Sequence, residues 1–499
     1  MIAQVVVDIP NDAVDRVFDY IALEDTQVGM RVKVPFAGRL VLGYVLQLSE
    51  KSQVAPSKLK TITKNLEKTP KLMPEILDLC QFMSRHFFLR LSDCIRLALP
   101  SCVRLDTQHE QLEFSLSLVY DIDTAINIIG KRAKNQLSLV AFLNENGSMD
   151  FLKAVEMFGR QSVNALVEKG IIVKSASRKM RAPSVDVGNE QRNILTQAQA
   201  EAVNTMSGQN KTFLLKGVTG SGKTEVYMNI IEQALAQGKT AIMLVPEISL
   251  TPQMMQRFTS RFPNDVAVLH SRLSDGERFD EWEKIFAGKA HVILGARSAI
   301  FAPVQNLGVI VIDEEHDASY VSENNPRYDA HTVAEYRARS NQCPLILGSA
   351  TPSLESYHKA MKGDYQLVEL KQRINGSVMP DIEIVDMTNE VMDGNMTPFS
   401  KSLIAKLDKC IKEKKQAILF INRRGFASFV MCRECGYRAK CDDCEVSLVY
   451  HKEDNQLKCH FCGKKYRMLT NCPNCNSKNI RYGATGTEKV CEELADMFK

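Results

Sequence analysis

The sequence predicts a multidomain α/β protein, in which lobes built on parallel sheets accompany an N-terminal β-rich domain, a winged helix and a zinc module with four-cysteine sites. The first observation is length: 499 residues allow three or four domains at about 150 residues each, and 44% hydrophobic residues can fill several cores. The second is that continuous apolar strands recur between helical stretches in the second half, which is typical of a parallel sheet covered on both faces. The third is that eight of the 14 cysteines form four Cys-x-x-Cys pairs.

Charge and hydropathy exclude several classes of protein. The 63 Lys and Arg residues nearly balance the 59 Asp and Glu residues, so a nucleic-acid site must lie on a local face. The first five residues carry no basic lead, and no stretch approaches 18 consecutive apolar residues. We therefore expect a cytoplasmic protein with no membrane partner.

The first 195 residues divide into three predicted segments. Turn residues separate short strand-like runs at 4–8, 17–21, 30–35 and 40–48, which predicts a β-rich domain over 1–105. Helical spacing over 134–174 followed by a β-prone tail predicts a winged helix within 106–180. Residues 181–195 have little apolar content and are expected to form a linker.

The remaining residues are expected to form two lobes and an insertion. Lobe 1 covers 196–367, with strands predicted at 212–215, 241–245, 266–269, 291–294, 309–312 and 345–347. Lobe 2 starts over 368–430, with strands predicted at 382–385 and 417–421, and continues, incomplete, over 481–499 with a helix at 488–498. The cysteine pairs interrupt it as a module over 431–480.

A P-loop pattern follows the first strand of lobe 1. It consists of Gly217, Val218, Thr219, Gly220, Ser221, Gly222, Lys223 and Thr224. Backbone N–H groups of such a loop wrap phosphates, the lysine supplies a point charge, and the Thr hydroxyl binds Mg²⁺. The strand before it and the helical run after it provide the context that the motif needs.

Two further clusters are predicted at strand ends of the same sheet. Asp313 and Glu314 begin an Asp-Glu-Glu-His segment; we expect Asp313 to hold Mg²⁺ and Glu314 to orient or deprotonate the attacking water. The hydroxyls of Gly348-Ser349-Ala350-Thr351-Pro352 could couple this site to a second lobe, or form a simple capped turn. Upstream, the amide of Gln199 could read adenine, with a solvated helix residue as the alternative.

The eight paired cysteines predict two tetrahedral Zn²⁺ sites. Spacing alone leaves three pairings open, and a loop of ordinary zinc-ribbon length between the two inner pairs favours a nested arrangement. In it, the first zinc binds the outer cysteines and the second the inner ones: Cys432, Cys435, Cys472 and Cys475; Cys441, Cys444, Cys459 and Cys462. Four sulfurs leave no open position for water, so both zinc ions are expected to be structural.

These motifs, together with Gly-Ala-Arg-Ser at 295–298, Asn-Arg-Arg-Gly at 422–425 and Gly-Thr-Glu at 486–488, resemble the bacterial primosomal replication-restart helicases (primosomal protein N′, PriA family) of superfamily 2. The resemblance implies RecA-like helicase lobes, ATP and Mg²⁺, two Zn²⁺ in the nested arrangement, and 3′-to-5′ DNA unwinding that starts primosome assembly at stalled or abandoned forks. It also implies single-stranded DNA-binding protein and other primosome proteins, including the machinery that loads the replicative helicase, as partners of a nucleoid-associated protein, which we expect to be monomeric.

DNA contacts are expected at three places. Single-stranded bases stack on aromatic faces, and the loop after the acidic segment offers Tyr320, Arg327 and Tyr328, which the resemblance supports; packing is the alternative for Tyr328 and Tyr336. Arg297 is a candidate DNA-tracking residue or a member of an intramolecular ion pair. The resemblance further implies a pocket for a leading-strand 3′ end at Phe18, Asp19, Tyr20 and Lys60, and duplex binding by the winged helix, with 160–169 as the segment to test.

The sequence departs from the family in one respect. No Gln-x-x-Gly-Arg-x-Gly-Arg segment follows residue 488, so the lobe 2 arginine that family members place against the γ-phosphate is missing. We therefore expect either a fragment or a homologue with little turnover. The alternative function is a DNA-structure binding and primosome assembly platform whose ATP turnover is dispensable or impaired. Another superfamily 2 translocase is a third hypothesis, which the zinc module argues against.

Overall fold

The computed structural model describes residues 1–105, 111–129, 133–179, 181, 193–374, 376, 380–395, 397–420, 430–451, 456–459, 462–482 and 487–498. The chain forms two compact units, residues 1–378 and 379–499. None of the described helices is long and apolar enough to cross a membrane.

The first unit begins with a six-stranded sheet of order β5-β2-β1-β4-β3-β6. The strands are β1 (Ile2–Val7), β2 (Val17–Ile21), β3 (Arg31–Phe36), β4 (Arg39–Ser49), β5 (Lys60–Thr61) and β6 (Lys64–Asn65). The four strands predicted here are confirmed, and β-branched side chains such as Val5, Val32 and Val45 form a buried core on one face.

Three helices that the sequence analysis missed complete the N-terminal region: α1 (Pro74–His86), α2 (Leu91–Ala98) and α3 (Ser101–Arg104). Pro74 at the first turn and buried Ile76, Leu77, Cys80 and Met83 at helical spacing explain α1. The domain predicted over 1–105 is therefore a sheet with helices and not β-rich throughout.

The predicted winged-helix region contains a three-stranded antiparallel sheet of order β8-β7-β9 and four helices. The elements are β7 (Gln111–Leu118), α4 (Ile122–Ile129), α5 (Lys134–Asn146), β8 (Ser148–Asp150), α6 (Phe151–Phe158), α7 (Arg160–Glu168) and β9 (Ile172–Lys179). The helices α5 to α7 and the strand after them follow the predicted order, whereas β7 was not expected.

Lobe 1 is built on a seven-stranded parallel sheet of order β12-β13-β11-β14-β15-β10-β16. Its elements are α8 (Gln197–Met206), β10 (Thr212–Gly217), α9 (Lys223–Ala236), β11 (Thr240–Leu244), α10 (Pro252–Arg261), β12 (Val266–Leu269), α11 (Asp275–Phe286), β13 (Val292–Gly295), β14 (Leu307–Asp313), α12 (Ala330–Ser340), β15 (Leu345–Ser349), α13 (Leu354–Lys362) and β16 (Gln366–Leu370). All six predicted strands are present; β16 is the seventh.

A buried ion pair joins the N-terminal helices to lobe 1. Arg337 of α12 has no exposed side-chain surface, and its Nε and Nη2 each donate to the carboxylate of Glu75 in α1 at 2.8 Å. Nearby, the rings of Phe82 and Tyr336 stack with centroids 4.0 Å apart. The six-stranded sheet, its helices and lobe 1 therefore belong to one compact unit.

The second unit contains helices followed by short strands: α14 (Met387–Met392), α15 (Lys401–Lys412), β17 (Val430–Cys432), β18 (Val449–His451), β19 (Gln456–Lys458), β20 (Lys465–Tyr466), β21 (Ile480–Tyr482) and α16 (Thr487–Met497). The helix predicted at 488–498 is confirmed. The strand predictions at 382–385 and 417–421 are wrong for the described residues. Ile382, Ile384, Ile418 and Phe420 are 84–94% exposed, and no described strand lies beside them to pair with.

Candidate nucleotide, DNA and zinc sites

The P-loop connects the buried strand β10 to α9. Gly220 and Gly222 have φ angles of +82° and +79°, which only glycine adopts without strain. A Cβ on Gly222 would also lie 2.4 Å from Nε2 of Gln199. The loop therefore turns sharply enough to aim its N–H groups, and the positive end of the α9 dipole, at one anionic ligand.

Lys223 and Ser221 occupy the loop as a phosphate site requires. The Nζ of Lys223 donates to the carbonyl of Gly217 at 3.0 Å, so its charge is held over the loop. The Ser221 hydroxyl is buried and has no hydrogen-bond partner among the described residues. Thr224 is half-buried at the start of α9. These side chains lie where the motif predicts phosphate and Mg²⁺ contacts.

Gln199 supports the P-loop from α8. Its Nε2 donates to the carbonyl of Ser221 at 2.9 Å, and its Oε1 accepts from the Thr196 N–H at 2.8 Å in a capping box. It is only 3% exposed, so the alternative of a solvated helix residue is wrong. Both amide groups already have partners, so adenine recognition by Gln199 stays a prediction.

The two carboxylates predicted to act in catalysis, Asp313 and Glu314, lie at the end of β14 and directly after it. Burial, together with the neighbouring Glu314 carboxylate, raises the pKa of Asp313 above its usual range. A divalent cation would remove that penalty, because its charge favours the ionised carboxylate. Glu314 is half-buried and adopts a φ of +46°, which turns it away from the strand direction. The donor set of Asp313 and Thr224 consists of oxygen ligands, which Mg²⁺ prefers.

Tyr227 is a site residue that sequence reasoning missed. Its hydroxyl donates to Oδ1 of Asp313 at 3.0 Å from α9, one helical turn after Lys223. A Cβ on Gly348 would lie 1.6 Å from that hydroxyl oxygen, so glycine in β15 makes the contact possible. The only sequence signal was this glycine at the end of a strand of large apolar residues.

The segment after Gly348 is connected to the acidic segment by side-chain hydrogen bonds. Ser349 Oγ and His316 Nδ1 lie 2.8 Å apart, and Ser349 Oγ also accepts from the Thr351 N–H. Buried Glu315 accepts from both the N–H and the hydroxyl of Ser353. Ser349 thus forms the capped turn that was the alternative interpretation and also contacts His316, while coupling of this segment to a second lobe stays a prediction.

The aromatic loop differs from expectation. Tyr320 has no exposed surface, and its hydroxyl donates to the Asp313 carbonyl at 2.6 Å. Tyr328 is 4% exposed and packs edge-on against Phe301 at 5.2 Å. Neither ring offers a face for a base, because each fills the lobe 1 core. The prediction of stacking by Tyr320 and Tyr328 is corrected to a packing role.

The two arginines of this region have different surroundings. Arg297 is half-buried and donates to the carbonyls of Ser319 and Val321, so the alternative of an intramolecular ion pair is not found among the described residues and the DNA-tracking role stays a prediction. Its guanidinium also lies 5.4 Å from the Tyr328 ring centroid. Arg327 is exposed, and within the described part of the chain its one hydrogen bond is from Nε to the Glu323 carbonyl. Arg327 is therefore the freer of the two to contact DNA.

The N-terminal cavity gathers the residues predicted for a DNA 3′ end. Phe18, Asp19, Tyr20 and Lys60 line one cavity of about 1,060 Å³, together with Phe36. Ser52 donates a hydrogen bond to the Asp19 carboxylate at 2.5 Å. Asp19 is half-buried, and four basic residues also line the cavity: Arg16, Lys51, Lys58 and Lys60. This combination suits an anionic ligand with a hydroxyl.

Of the winged-helix segment proposed for duplex binding, α7 presents Arg160 and the following Lys169 to solvent, while Val163 and Leu166 are buried. Other predicted motifs lie outside the described residues. These are the Asn-Arg-Arg-Gly segment, Gly486 and most of the linker.

The eight cysteines form two tetrads in the predicted nested arrangement. Within each tetrad the four sulfurs lie within 4.8 Å of one another: Cys432, Cys435, Cys472 and Cys475; Cys441, Cys444, Cys459 and Cys462. Contacts such as 3.7 Å between Cys441 and Cys462 match four sulfurs around one Zn²⁺ at about 2.3 Å each. A hydrogen bond from the Tyr466 hydroxyl lowers the pKa of the Cys441 thiol to about 6, which favours the thiolate that zinc needs.

Each pair repeats the same backbone turn. The carbonyl of the first cysteine accepts from the N–H four residues later, and its own N–H donates to the carbonyl five residues later. The residue four positions after the first cysteine has a positive φ in every turn: Gly436, Glu445, Gly463 and Asn476. Glycine or asparagine suits this conformation at three positions, whereas Glu445 adopts it at a cost.

Comparisons with known proteins agree with this geometry. Residues 4–100 match the family model of the PriA 3′ DNA-binding domain, 196–360 that of DEAD/DEAH box helicases, and 441–467 that of the Cys-rich region domain of PriA DNA helicases. The chain is 38% identical to replication restart protein PriA of Bacillus subtilis (strain 168), over 99% of this chain and 71% of the relative. It is 35% identical to that of Haemophilus influenzae, over 97% and 67%.

Other similarities cover a smaller share of the protein to which this chain is compared. Replication restart protein PriA of Synechocystis is 43% identical over 72% of this chain, which spans 45% of that relative. Among solved structures, RecG bound to a three-way DNA junction matches 44% of this chain and 32% of its own, with 23% identity and a TM-score of 0.27. At that score the likeness carries no argument.

Proposed function

The chain belongs to the replication restart protein PriA family, and we propose that it is an ATP-dependent 3′-to-5′ DNA helicase that recognises stalled or abandoned replication forks and initiates primosome assembly. The observation that carries this proposal is one compact unit that holds both a P-loop with its buried carboxylate and a basic cavity around Asp19. A motor site and a DNA-end site in the same unit suit fork recognition better than unwinding alone.

ATP hydrolysis is assigned to five residues in and beside the P-loop. Lys223 binds the β- and γ-phosphates, and Thr224 and Asp313 would hold Mg²⁺, which neutralises charge on the transferred phosphoryl group. Tyr227 fixes the Asp313 carboxylate through its hydrogen bond. Glu314, which is more exposed, orients or deprotonates the attacking water.

DNA recognition is assigned to the Asp19 cavity and to Arg327. The Asp19 carboxylate can accept a hydrogen bond from a terminal 3′-hydroxyl, while Lys60 and Arg16 offset phosphate charge. The half-buried rings of Phe18 and Phe36 pack edge-on at 5.0 Å and offer an apolar wall for a terminal base. Exposed Arg327 contacts the phosphates of single-stranded DNA, and α7 contacts duplex DNA.

The partners and location follow the family. We propose single-stranded DNA-binding protein and other primosome proteins, including the machinery that loads the replicative helicase, as partners of a monomeric, cytoplasmic and nucleoid-associated protein. The two structural zinc ions hold the module of residues 431–480, where the four repeated turns replace a larger hydrophobic core.

The alternative is an assembly platform in which ATP binding matters and turnover is dispensable. One observation favours it. The cavity around Asp19 is lined entirely by residues between 4 and 60, and none of them belongs to the nucleotide site. Recognition of a DNA end by this cavity would therefore need no hydrolysis.

ATP hydrolysis on forks with a 3′-hydroxyl or a 3′-phosphate at the leading strand tests both proposals. We expect hydrolysis to be stimulated by the hydroxyl end in the wild type and abolished in Lys223→Ala with fork binding retained. Asp19→Ala should remove the preference for the hydroxyl, whereas the matched control Asp12→Ala, at an exposed carboxylate of the same domain, should keep it. Fork preference without hydrolysis would support the platform, and neither property would overturn both functions.

A further inference from the structure

The stretch that follows β16 covers the P-loop. We call residues 370–374 the covering segment. The Val218 N–H donates to the Leu370 carbonyl at 3.2 Å, and the Ile374 N–H donates to the Gly220 carbonyl at 3.1 Å. A Cβ on Gly222 would lie 2.6 Å from Cδ1 of Ile374. Backbone hydrogen bonds on both sides of the loop therefore fix the covering segment against the phosphate site.

Arg373 is the one cationic side chain of the covering segment that lies over the loop. Its Cγ and Cδ lie 3.8 and 3.9 Å from the position that a Cβ on Gly220 would take. Its Nε is buried and has no hydrogen-bond partner, and its guanidinium makes no ion pair, among the residues that the structure describes. The neighbouring Lys371 is exposed and pairs with Glu369 at 3.2 Å.

A buried guanidinium nitrogen without a partner is unfavourable and calls for an explanation. A second polar group at the same loop has the same property, because the Ser221 hydroxyl is buried and unpaired among the described residues. The Ser221 hydroxyl oxygen lies 2.6 Å from the position that a Cβ on Gly217 would take, and Arg373 lies beside Gly220, so the two groups border the loop whose N–H groups wrap phosphates in this motif. One anionic ligand seated in the loop would satisfy both.

We propose that Arg373 is a nucleotide-binding residue that contacts the phosphates of ATP from the covering segment. This proposal rests on the proposed function, because it requires that the chain binds ATP. Phosphates are the part of the ligand that suits Arg373, since a guanidinium presents a planar fork of donors that matches phosphate oxygens. Lys223 supplies a point charge from α9 beside Gly217, and Arg373 adds a second cation from the covering segment beside Gly220.

This contact also gives the nucleotide a means of holding the covering segment in place. Arg373 belongs to the last stretch of the first unit, and its Cγ and Cδ lie within 4 Å of the position that a Cβ on Gly220 would take. Loss of ATP would leave the buried Nε without a partner among the described residues, which weakens the docked position of the segment. The affinity for triphosphate and the order of the segment are therefore coupled, as any pair of linked equilibria must be.

Titration of the full chain with a fluorescent ATP analogue and Mg²⁺ tests the proposal. We expect Arg373→Ala to weaken binding at least tenfold, Arg373→Lys to recover part of the loss, and the matched control Lys371→Ala to bind like the wild type. Competition with adenosine, which has no phosphate, should show no difference between wild type and Arg373→Ala. Without nucleotide, the melting temperature of Arg373→Ala should equal or exceed that of the wild type, because an unpaired buried group is removed.

The possible results separate the two proposals. Binding that Lys223→Ala abolishes but Arg373→Ala leaves unchanged would overturn the inference about Arg373 and leave ATP binding intact. An equal loss of adenosine and ATP binding in Arg373→Ala would also overturn it, since that pattern indicates distortion of the whole site. No binding by the wild type would overturn ATP binding and the inference together.

Discussion

Replacement of Glu75 by alanine should destabilise the first unit, because it removes the only acidic partner of Arg337 among the described residues. The Arg337 side chain has no exposed surface and would keep only its contacts to the carbonyls of Ile300 and Ala302. Removing one member of a buried ion pair typically costs 3–5 kcal/mol. Since the Glu75 side chain remains 23% exposed and water can enter from that side, we expect about 3 kcal/mol.

The assay is urea unfolding followed by fluorescence of Trp282, the single tryptophan of the chain, which lies buried in α11 of the same unit. Lys371→Ala serves as the control, because it breaks an exposed pair with Glu369 and should cost less than about 0.5 kcal/mol. The double variant Glu75→Leu with Arg337→Met should lose less stability than the two single variants added together. A loss below about 1 kcal/mol in Glu75→Ala would refute the reasoning.

Three further results are expected. Tyr227→Phe removes the hydrogen bond to Asp313, worth about 1 kcal/mol, so ATP turnover should need several-fold more Mg²⁺; an unchanged Mg²⁺ dependence would contradict this role. Glu445→Gly should stabilise the zinc module by about 0.5–1 kcal/mol, because glycine avoids the cost of the left-handed backbone conformation but has more conformational entropy to lose from the unfolded chain. The measurement is the rate of zinc loss to a chelator, and faster loss from the variant would count against the prediction. Although burial opposes both charges, the contact between Asp329 and His331 lowers the pKa of Asp329 to about 2 and raises that of His331. The pair therefore stabilises the fold fully between pH 3.8 and pH 6.5, the ordinary pKa values of Asp and His, and this stabilisation is lost as pH rises through the raised pKa of His331. In thermal melts, His331→Gln should lower stability more at pH 6 than at pH 9, and an equal loss at both would argue against the pair.

The sequence predicted the sites whose residues are contiguous. The P-loop and the Cys-x-x-Cys pairs each place their ligands on one short turn, so spacing alone reveals the geometry. Tyr227 and Asp313 lie 86 residues apart, and Glu75 and Arg337 lie 262 apart, so these contacts depend on how the sheet and helices pack. Their side chains have no local pattern that would distinguish them from ordinary helix residues.

The errors have physical causes as well. Tyr320 and Tyr328 stand among Asn, Pro and Arg in a segment whose polarity predicts an exposed loop, yet both rings fill the lobe 1 core. Helix α1 was missed because it directly follows strand-like runs, and its adjacent buried residues Ile76 and Leu77 have the same apolar composition as those runs. The apolar runs at 382–385 and 417–420 have strand composition, but composition does not supply the neighbouring strand that a sheet requires.

The contact between α1 and α12 affects how force would be transmitted through the first unit. Glu75 and Arg337, with the stacked rings of Phe82 and Tyr336, fasten the Asp19 cavity and the P-loop into one body. A DNA end held in that cavity would keep a constant offset from the nucleotide while ATP is consumed. The first unit would then be a frame that carries both the site for a strand end and the site for the nucleotide.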